Sequence, residues 1–133
     1  IKEFNSGYQT WLQNKYIGGG IRSFKENCKV TVLNCNTHPH NYYLEILSEL
    51  GLFGFVFLLL IFSMIIYESL FKRLLKRSEL KYNNIIIPFT FLFLIEIFPI
   101  KTTGSFFTTG NATYIFLVMT ITIALSRSPE RKI

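Results

Sequence analysis

The sequence has little charge inside its apolar stretches and lacks the marks of a soluble or nucleic-acid-binding domain. Half of its 133 residues are hydrophobic, and they are concentrated in three blocks instead of being spread at amphipathic spacing. The formal net charge is +6, but the charges cluster beside these blocks, without a recognition helix or an aromatic RNA-binding strand. This pattern is typical of a polytopic membrane protein. Lipid head groups or a phosphorylated lipid are the expected partners, and nucleic acid is not.

The start of the sequence lacks an initiator methionine and the charged and apolar regions of a signal peptide. It opens with Ile1 and continues with polar residues. We therefore expect an upstream segment to insert the chain into the membrane, and we interpret the chain as the C-terminal piece of a larger protein.

Phosphate-loop and zinc patterns are also missing. Gly18-Gly19-Gly20 is not followed by the lysine and hydroxyl of a P-loop, which favours a flexible turn over an anion cradle. Cys28 and Cys35, the only cysteines, do not combine with His38 and His40 at the paired spacings of zinc sites, so no metal or other cofactor is expected. If this region is extracytoplasmic, a Cys28–Cys35 disulfide is the leading interpretation, with a metal site or free thiols as alternatives.

The three apolar blocks predict an all-α polytopic membrane protein with three transmembrane helices preceded by an extracytoplasmic loop segment. The uncharged run from Leu50 to Tyr67, about 18 residues, covers most of a bilayer core. Residues 42–133 are expected to hold the spans, at about 42–68, 82–100 and 107–125. The basic loop 72–81 is predicted to face the cytoplasm, which places residues 1–41, with a possible short helix at 7–15, on the opposite face of the membrane.

Polar residues crowd the start of the first predicted span. Asn41 is expected to cap the helix, because its side chain can accept a hydrogen bond from a first-turn N–H. Glu45 and Glu49 are one turn apart on the same face, near the loop that carries His38 and His40. Further along the chain, Glu96 lies inside the second apolar block, where it either faces the protein interior or reaches toward the interface.

Several stretches resemble a known family. His40-Asn41, followed after nine residues by Gly51-Leu52-Phe53-Gly54, resembles the signature of the O-antigen ligase and polymerase superfamily, the WaaL/Wzy-type membrane glycosyltransferases. In that family a periplasmic loop ends in this histidine motif before a transmembrane helix. One departure is Tyr8, which stands where many members carry an arginine. Further similar stretches are Gly18-Gly19-Gly20-Ile21-Arg22-Ser23-Phe24, Phe98-Pro99 and Gly104-Ser105-Phe106-Phe107.

The resemblance implies a metal-independent enzyme of the bacterial inner membrane. It would transfer a glycan from an undecaprenyl-pyrophosphate carrier to an acceptor hydroxyl, as on lipid A-core. His40 is the expected base or acceptor-activating group, because neutral imidazole titrates near the working pH. Glu45 or Glu49 would orient it, whereas Pro39 is expected to separate His38 from His40. The expected substrate-binding residues are Arg22 and Lys25 near the pyrophosphate, with His38 and Asn41.

Three other interpretations stay open. Two lie within the family: an O-antigen polymerase and a protein O-oligosaccharyltransferase, which share the chemistry and differ in the acceptor. The third is a non-enzymatic membrane transport or assembly subunit. Gly51 and Gly54 are expected to be packing residues that let a neighbouring helix approach closely.

Overall fold

The computed structural model describes residues 2–29, 35–75, 85–100 and 103–127. Within these ranges the protein is helical and has no strand. The helices are α1 (Lys2–Gln13), α2 (Phe24–Lys29), α3 (Tyr42–Ile66), α4 (Lys72–Leu75), α5 (Ile86–Glu96) and α6 (Thr109–Arg127), with a π-helical turn at Tyr67–Phe71 between α3 and α4. The short helix predicted at 7–15 falls on α1, which begins earlier, at Lys2, and ends at Gln13.

Two helical stretches are long and apolar enough to cross a membrane, Tyr42–Phe71 and Thr109–Arg127. They correspond to the first and third predicted spans. The second prediction, 82–100, is too long at its C-terminal end, because α5 stops at Glu96 and has 11 residues, about 16 Å of helix. Phe98 precedes Pro99, a position that disfavours helical geometry. Residues 76–84, which include six of the ten residues of the predicted basic loop, lie outside the described ranges.

The chain divides into two units by its internal contacts. One consists of Ile1–Leu59 and Pro99–Ala112, and the other of Leu60–Phe98 and Thr113–Ile133. In the second unit, Phe62 and Phe93 meet edge to face with ring centroids 5.6 Å apart. Glu96 is buried at the end of α5, which agrees with the interior alternative for this carboxylate. All of the predicted site residues belong to the first unit.

Helix α3 is broken at Gly51, where φ is 67° and ψ is −168°. Main-chain groups on both sides of the break lose their usual partners within the helix, and residues 15–20 replace them. The replacement bonds run from the N–H groups of Gly19 and Gly20 to the carbonyls of Ser48 and Glu49, and from the N–H groups of Leu52 and Phe53 to the carbonyls of Lys15 and Tyr16, at 2.9–3.2 Å.

Glycine is required where this turn meets the break. Both Gly18 and Gly51 have positive φ, and a Cβ at Gly51 would overlap the carbonyl oxygen of Tyr16. The turn at 18–20 is thus a hydrogen-bonded structural element. Two of its N–H groups donate to carbonyls of α3 and are therefore not available to bind an anion. Gly51 has a different role from the predicted one: a loop, and not a helix, approaches it.

Candidate functional site

The first turn of α3 is capped as the sequence predicts. The Asn41 Oδ1 atom accepts hydrogen bonds from the N–H groups of Tyr43 and Leu44, at 3.1 and 3.2 Å. Its Nδ2 atom donates to the carbonyl of Pro99 at 2.8 Å. Asn41 is buried, so its amide fixes the start of α3 against the stretch that follows α5. A substrate-binding role for Asn41 stays a prediction.

Glu45 and Glu49 are both only 2% exposed, and each carboxylate is held by a different loop. Glu45 accepts hydrogen bonds from the Ser105 hydroxyl at 2.5 Å and from the Phe106 N–H at 2.6 Å. Glu49 accepts from the N–H groups of Arg22 and Phe24, at 2.6 and 3.3 Å. The two carboxylates therefore fasten two distant parts of the chain to one face of α3.

The structure shows no contact through which these carboxylates would orient the imidazole of His40, as the sequence predicts. Among the described residues, neither Glu45 nor Glu49 hydrogen-bonds to the imidazole of His40. The physical reason is that loop donors from residues 22–24 and 105–106 already occupy both carboxylates. By this geometry Glu45 and Glu49 hold residues 105–106 and 22–24 against α3, and a direct catalytic role for either carboxylate stays a prediction.

Arg22 is held at both its backbone and its side chain. It adopts φ of 61°, in the left-handed region that residues other than glycine rarely enter. Besides its N–H bond to Glu49, its Nη2 and Nε atoms donate to the carbonyl of Phe107 at 3.1 and 3.4 Å. The guanidinium is exposed and has five N–H donors, of which three have no partner among the described residues and could serve a bound anion. Lys25, the other predicted cation, is exposed on α2.

His40 also has left-handed backbone geometry, with φ of 54°. Its carbonyl accepts a hydrogen bond from the Thr103 N–H at 2.9 Å. The expectation that Pro39 separates the two histidines is wrong: the ring centroids of His38 and His40 are 4.2 Å apart. The left-handed residue turns the chain immediately after Pro39, so the two imidazoles form one cluster.

His38 is half-buried, and both of its ring nitrogens lie in defined surroundings. Its Nδ1 atom lies 3.0 Å from the Thr37 hydroxyl, and its Nε2 atom is buried without a hydrogen-bond partner among the described residues. Burial, reinforced by the charge of the neighbouring His40 when protonated, lowers the pKa of His38 below its ordinary value. The neutral form of His38 is therefore favoured over the charged form.

Residues 103–107, here called the 103–107 segment, connect the parts of the site. Thr103 bonds the His40 carbonyl, Ser105 and Phe106 bond Glu45, and the Phe107 carbonyl accepts from Arg22. The ring of Phe106 also meets that of Tyr42 edge to face, with centroids 5.5 Å apart. Ser105 was not among the predicted site residues. The sequence feature that could have pointed to it is the stretch Gly104-Ser105-Phe106-Phe107, which resembles the family's C-terminal pattern.

Cys28 and Cys35 form a disulfide, with their Cα atoms 6.0 Å apart. This pairing confirms the leading interpretation and leaves neither thiol for the alternative metal site. The bridge ties the end of α2 to the stretch that leads to His38. It therefore links the loop of Arg22 covalently to the loop of the two histidines.

One comparison with known proteins relates this site to a family. Residues 2–59, slightly under half of the chain, match the family model described as O-antigen ligase. No curated protein and no solved structure gives a significant match. The matched region includes both histidines, both carboxylates, Arg22 and the break at Gly51. This match supports the O-antigen ligase/polymerase superfamily, a family of glycosyltransferase-like membrane enzymes, for the part of the chain that carries the site.

Proposed function

We propose that this chain carries the transfer site of an O-antigen ligase. In this proposal a glycan moves from an undecaprenyl-pyrophosphate carrier to an acceptor hydroxyl, such as one on lipid A-core, at the periplasmic face of the bacterial inner membrane. The family match supports a reaction of this general type. The observation that carries the proposal is the left-handed backbone conformation of Arg22 and His40.

Arg22 and His40 are the two non-glycine residues with positive φ in the part of the chain that the structure describes. Such geometry costs about 1–3 kcal/mol per residue and persists where surrounding contacts enforce it. Here the 103–107 segment contacts both residues, and Glu49 adds a further bond to Arg22. Strain of this kind is concentrated at functional sites, and the two residues supply a potential base and a permanent cation.

The two side chains suit opposite parts of the reaction. The acceptor oxygen forms a bond to the anomeric carbon of the glycan, while the bond from that carbon to the pyrophosphate oxygen breaks. His40 takes the proton of the acceptor hydroxyl, a step that general-base catalysis accelerates by about 10²–10⁴-fold. The Arg22 guanidinium, with Lys25, offsets the charge that develops on the departing pyrophosphate. In this scheme Glu45 and Glu49 are positioning residues for the two loops.

The decisive experiment separates the imidazole of His40 from its backbone. His40→Asn and His40→Gly both tolerate positive φ, so they keep the turn and remove the base. We expect both variants, in the full-length protein, to lower glycan transfer by about 10²–10⁴-fold at normal protein levels. Wild-type transfer by either variant would overturn the proposed role of His40.

A matched pair of charge changes tests the cation. Arg22→Asn keeps a residue that accepts left-handed geometry and removes the guanidinium. Lys29→Ala removes the same unit of charge from α2, where Lys29 forms an exposed ion pair with Glu26 at 2.9 Å. We expect a loss of transfer for Arg22→Asn and no loss for Lys29→Ala. Equal effects would point to general electrostatic attraction instead of a defined pyrophosphate site.

The glycan left on the carrier in a deletion strain tests which acceptor the protein serves. Loss of a ligase leaves long chains on the carrier, which is the outcome that our proposal requires. Single repeat units would instead indicate an O-antigen polymerase, and an underglycosylated protein would indicate a protein O-oligosaccharyltransferase. A transport or assembly subunit would tolerate substitution of both His40 and Arg22.

A further inference from the structure

The loop at residues 15–21, here called the 15–21 loop, exposes large apolar side chains although its backbone is fixed. Ile17 is 80% exposed, and Tyr16 and Ile21 are each 63% exposed. Four main-chain hydrogen bonds attach residues 15, 16, 19 and 20 to α3 around Gly51. The apolar side chains are thus presented at a defined place on the surface of the first unit.

This place lies at the beginning of the apolar part of α3. The Tyr16 ring contacts the Phe53 ring, with centroids 6.5 Å apart, and Phe53 and Phe57 are themselves 70% and 67% exposed. The apolar surface therefore continues from the helix onto the loop. From residue 52 to residue 71 the helical stretch is about 30 Å long, which equals the thickness of a bilayer hydrocarbon core. By this measure, one boundary of the membrane falls near Gly51.

Basic side chains border the apolar loop. Lys15 precedes it, and Arg22 and Lys25 follow it, all three exposed. The nearest acidic side chain along the chain, Glu26, is paired with Lys29, so the border is positively charged. Tyrosine with lysine or arginine is the combination that proteins place at the boundary between head groups and acyl chains. Anionic lipid head groups attract such a basic border.

We propose that the 15–21 loop is a membrane anchor. Tyr16, Ile17 and Ile21 enter the boundary between lipid head groups and acyl chains, at the face where the apolar part of α3 begins, while Lys15 contacts anionic head groups. The occupant of this surface is thus the lipid bilayer itself. The inference goes beyond glycan transfer and does not depend on it.

Spin labels placed one at a time test the anchor. Ile17→Cys and Ile21→Cys alter exposed side chains, and Cys28 and Cys35 are paired with each other and do not react with a thiol label. Glu26→Cys, on the exposed surface of α2, is the matched control. The full-length protein, with any other free cysteine replaced, is reconstituted in phosphatidylethanolamine and phosphatidylglycerol vesicles. Collisions of each nitroxide with oxygen and with a water-soluble nickel complex are then compared.

We expect labels at 17 and 21 to collide more often with oxygen than with the nickel complex, and the label at 26 to show the reverse. If positions 17 and 21 behave like position 26, the loop lies in water and the proposal is overturned. If they are shielded from both reagents, another protein segment covers the loop, which also overturns it. Loss of glycan transfer plays no part in this readout, so the proposed function can fail separately.

Discussion

The break in α3 gives the most direct test of the structure, through Gly51→Ala. The substitution adds a Cβ atom at a residue with φ of 67° and directs it at the main chain of Tyr16 and Gly18. A flexible side chain could move away from the new atom, but a hydrogen-bonded main chain cannot do so at low cost. We therefore expect Lys15 and Tyr16 to separate from α3 on the C-terminal side of the break, where Leu52 and Phe53 donate to them.

The expected cost follows from two contributions. Left-handed geometry costs a residue with a side chain about 1–2 kcal/mol. Separation also removes the bonds from Leu52 and Phe53 to the carbonyls of Lys15 and Tyr16, each contributing about 1 kcal/mol net. Together these give about 3–4 kcal/mol of local destabilisation, or amide exchange that is faster by a factor of roughly 100–1,000.

Hydrogen exchange followed by mass spectrometry measures this opening directly, in peptides that cover residues 15–21 and 51–54. Two glycines provide graded controls. Gly20→Ala adds strain without overlap, because φ is 101° and no atom lies within 4 Å of the new Cβ. Gly110→Ala adds neither strain nor overlap. We expect the effect to decrease in the order 51, 20, 110. Equal exchange in Gly51→Ala and Gly110→Ala would refute the described junction.

Three further predictions concern the contacts around the site. Ser105→Ala removes one of the two donors to Glu45 and should lower the free energy of unfolding, measured by denaturant titration, by about 1–3 kcal/mol. Thr108→Ala is the control: it removes a hydroxyl bonded to the Ser105 carbonyl, and it should lower the free energy of unfolding less because that bond is exposed. The lowered pKa of His38 means that the folded state binds this proton less readily than the unfolded state. The midpoint temperature of thermal unfolding should therefore fall as pH drops below about 6.5. His38→Gln should make this midpoint less dependent on pH, and an unchanged pH dependence would contradict the lowered pKa of His38. The disulfide joins two residues that are 7 apart in sequence, and its reduction should lower the free energy of unfolding by about 2.5 kcal/mol and speed amide exchange in α2. Unchanged amide exchange would show that the disulfide does not stabilise this helix.

Much of the start of α3 could be predicted from local sequence. Asn41 caps the helix, and Glu45 and Glu49 share one face of it, because both features depend on residues within one or two turns. The disulfide also followed from the presence of only two cysteines at short spacing. These predictions need only near neighbours along the chain.

The partners of the carboxylates could not be predicted in the same way. Ser105 and Phe106 lie about 60 residues after Glu45, and no periodicity in the sequence states which distant N–H will meet which carboxylate. The close approach of His38 and His40 was also missed, because it depends on the left-handed backbone of His40, which residue type alone does not specify.

The break at Gly51 was hidden by the apolar run around it. A glycine within such a run is compatible with an uninterrupted helix, with close packing of a second helix, or with a change of direction. The choice is made by residues 15–20, which supply hydrogen-bond partners for the main-chain groups that the break exposes. That information lies some 30 residues earlier in the chain, so no window centred on Gly51 contains it.

Glu45 and Glu49 are held mainly by peptide groups: three of the four donors are the amides of Arg22, Phe24 and Phe106. An alanine scan would leave all three of these donors in place and would report only Ser105. Amide-to-ester replacement at single peptide bonds is the change that would reveal the others. For the same reason, grafting this arrangement onto another scaffold would mean copying the course of two loops, and transferring side chains alone would not reproduce it.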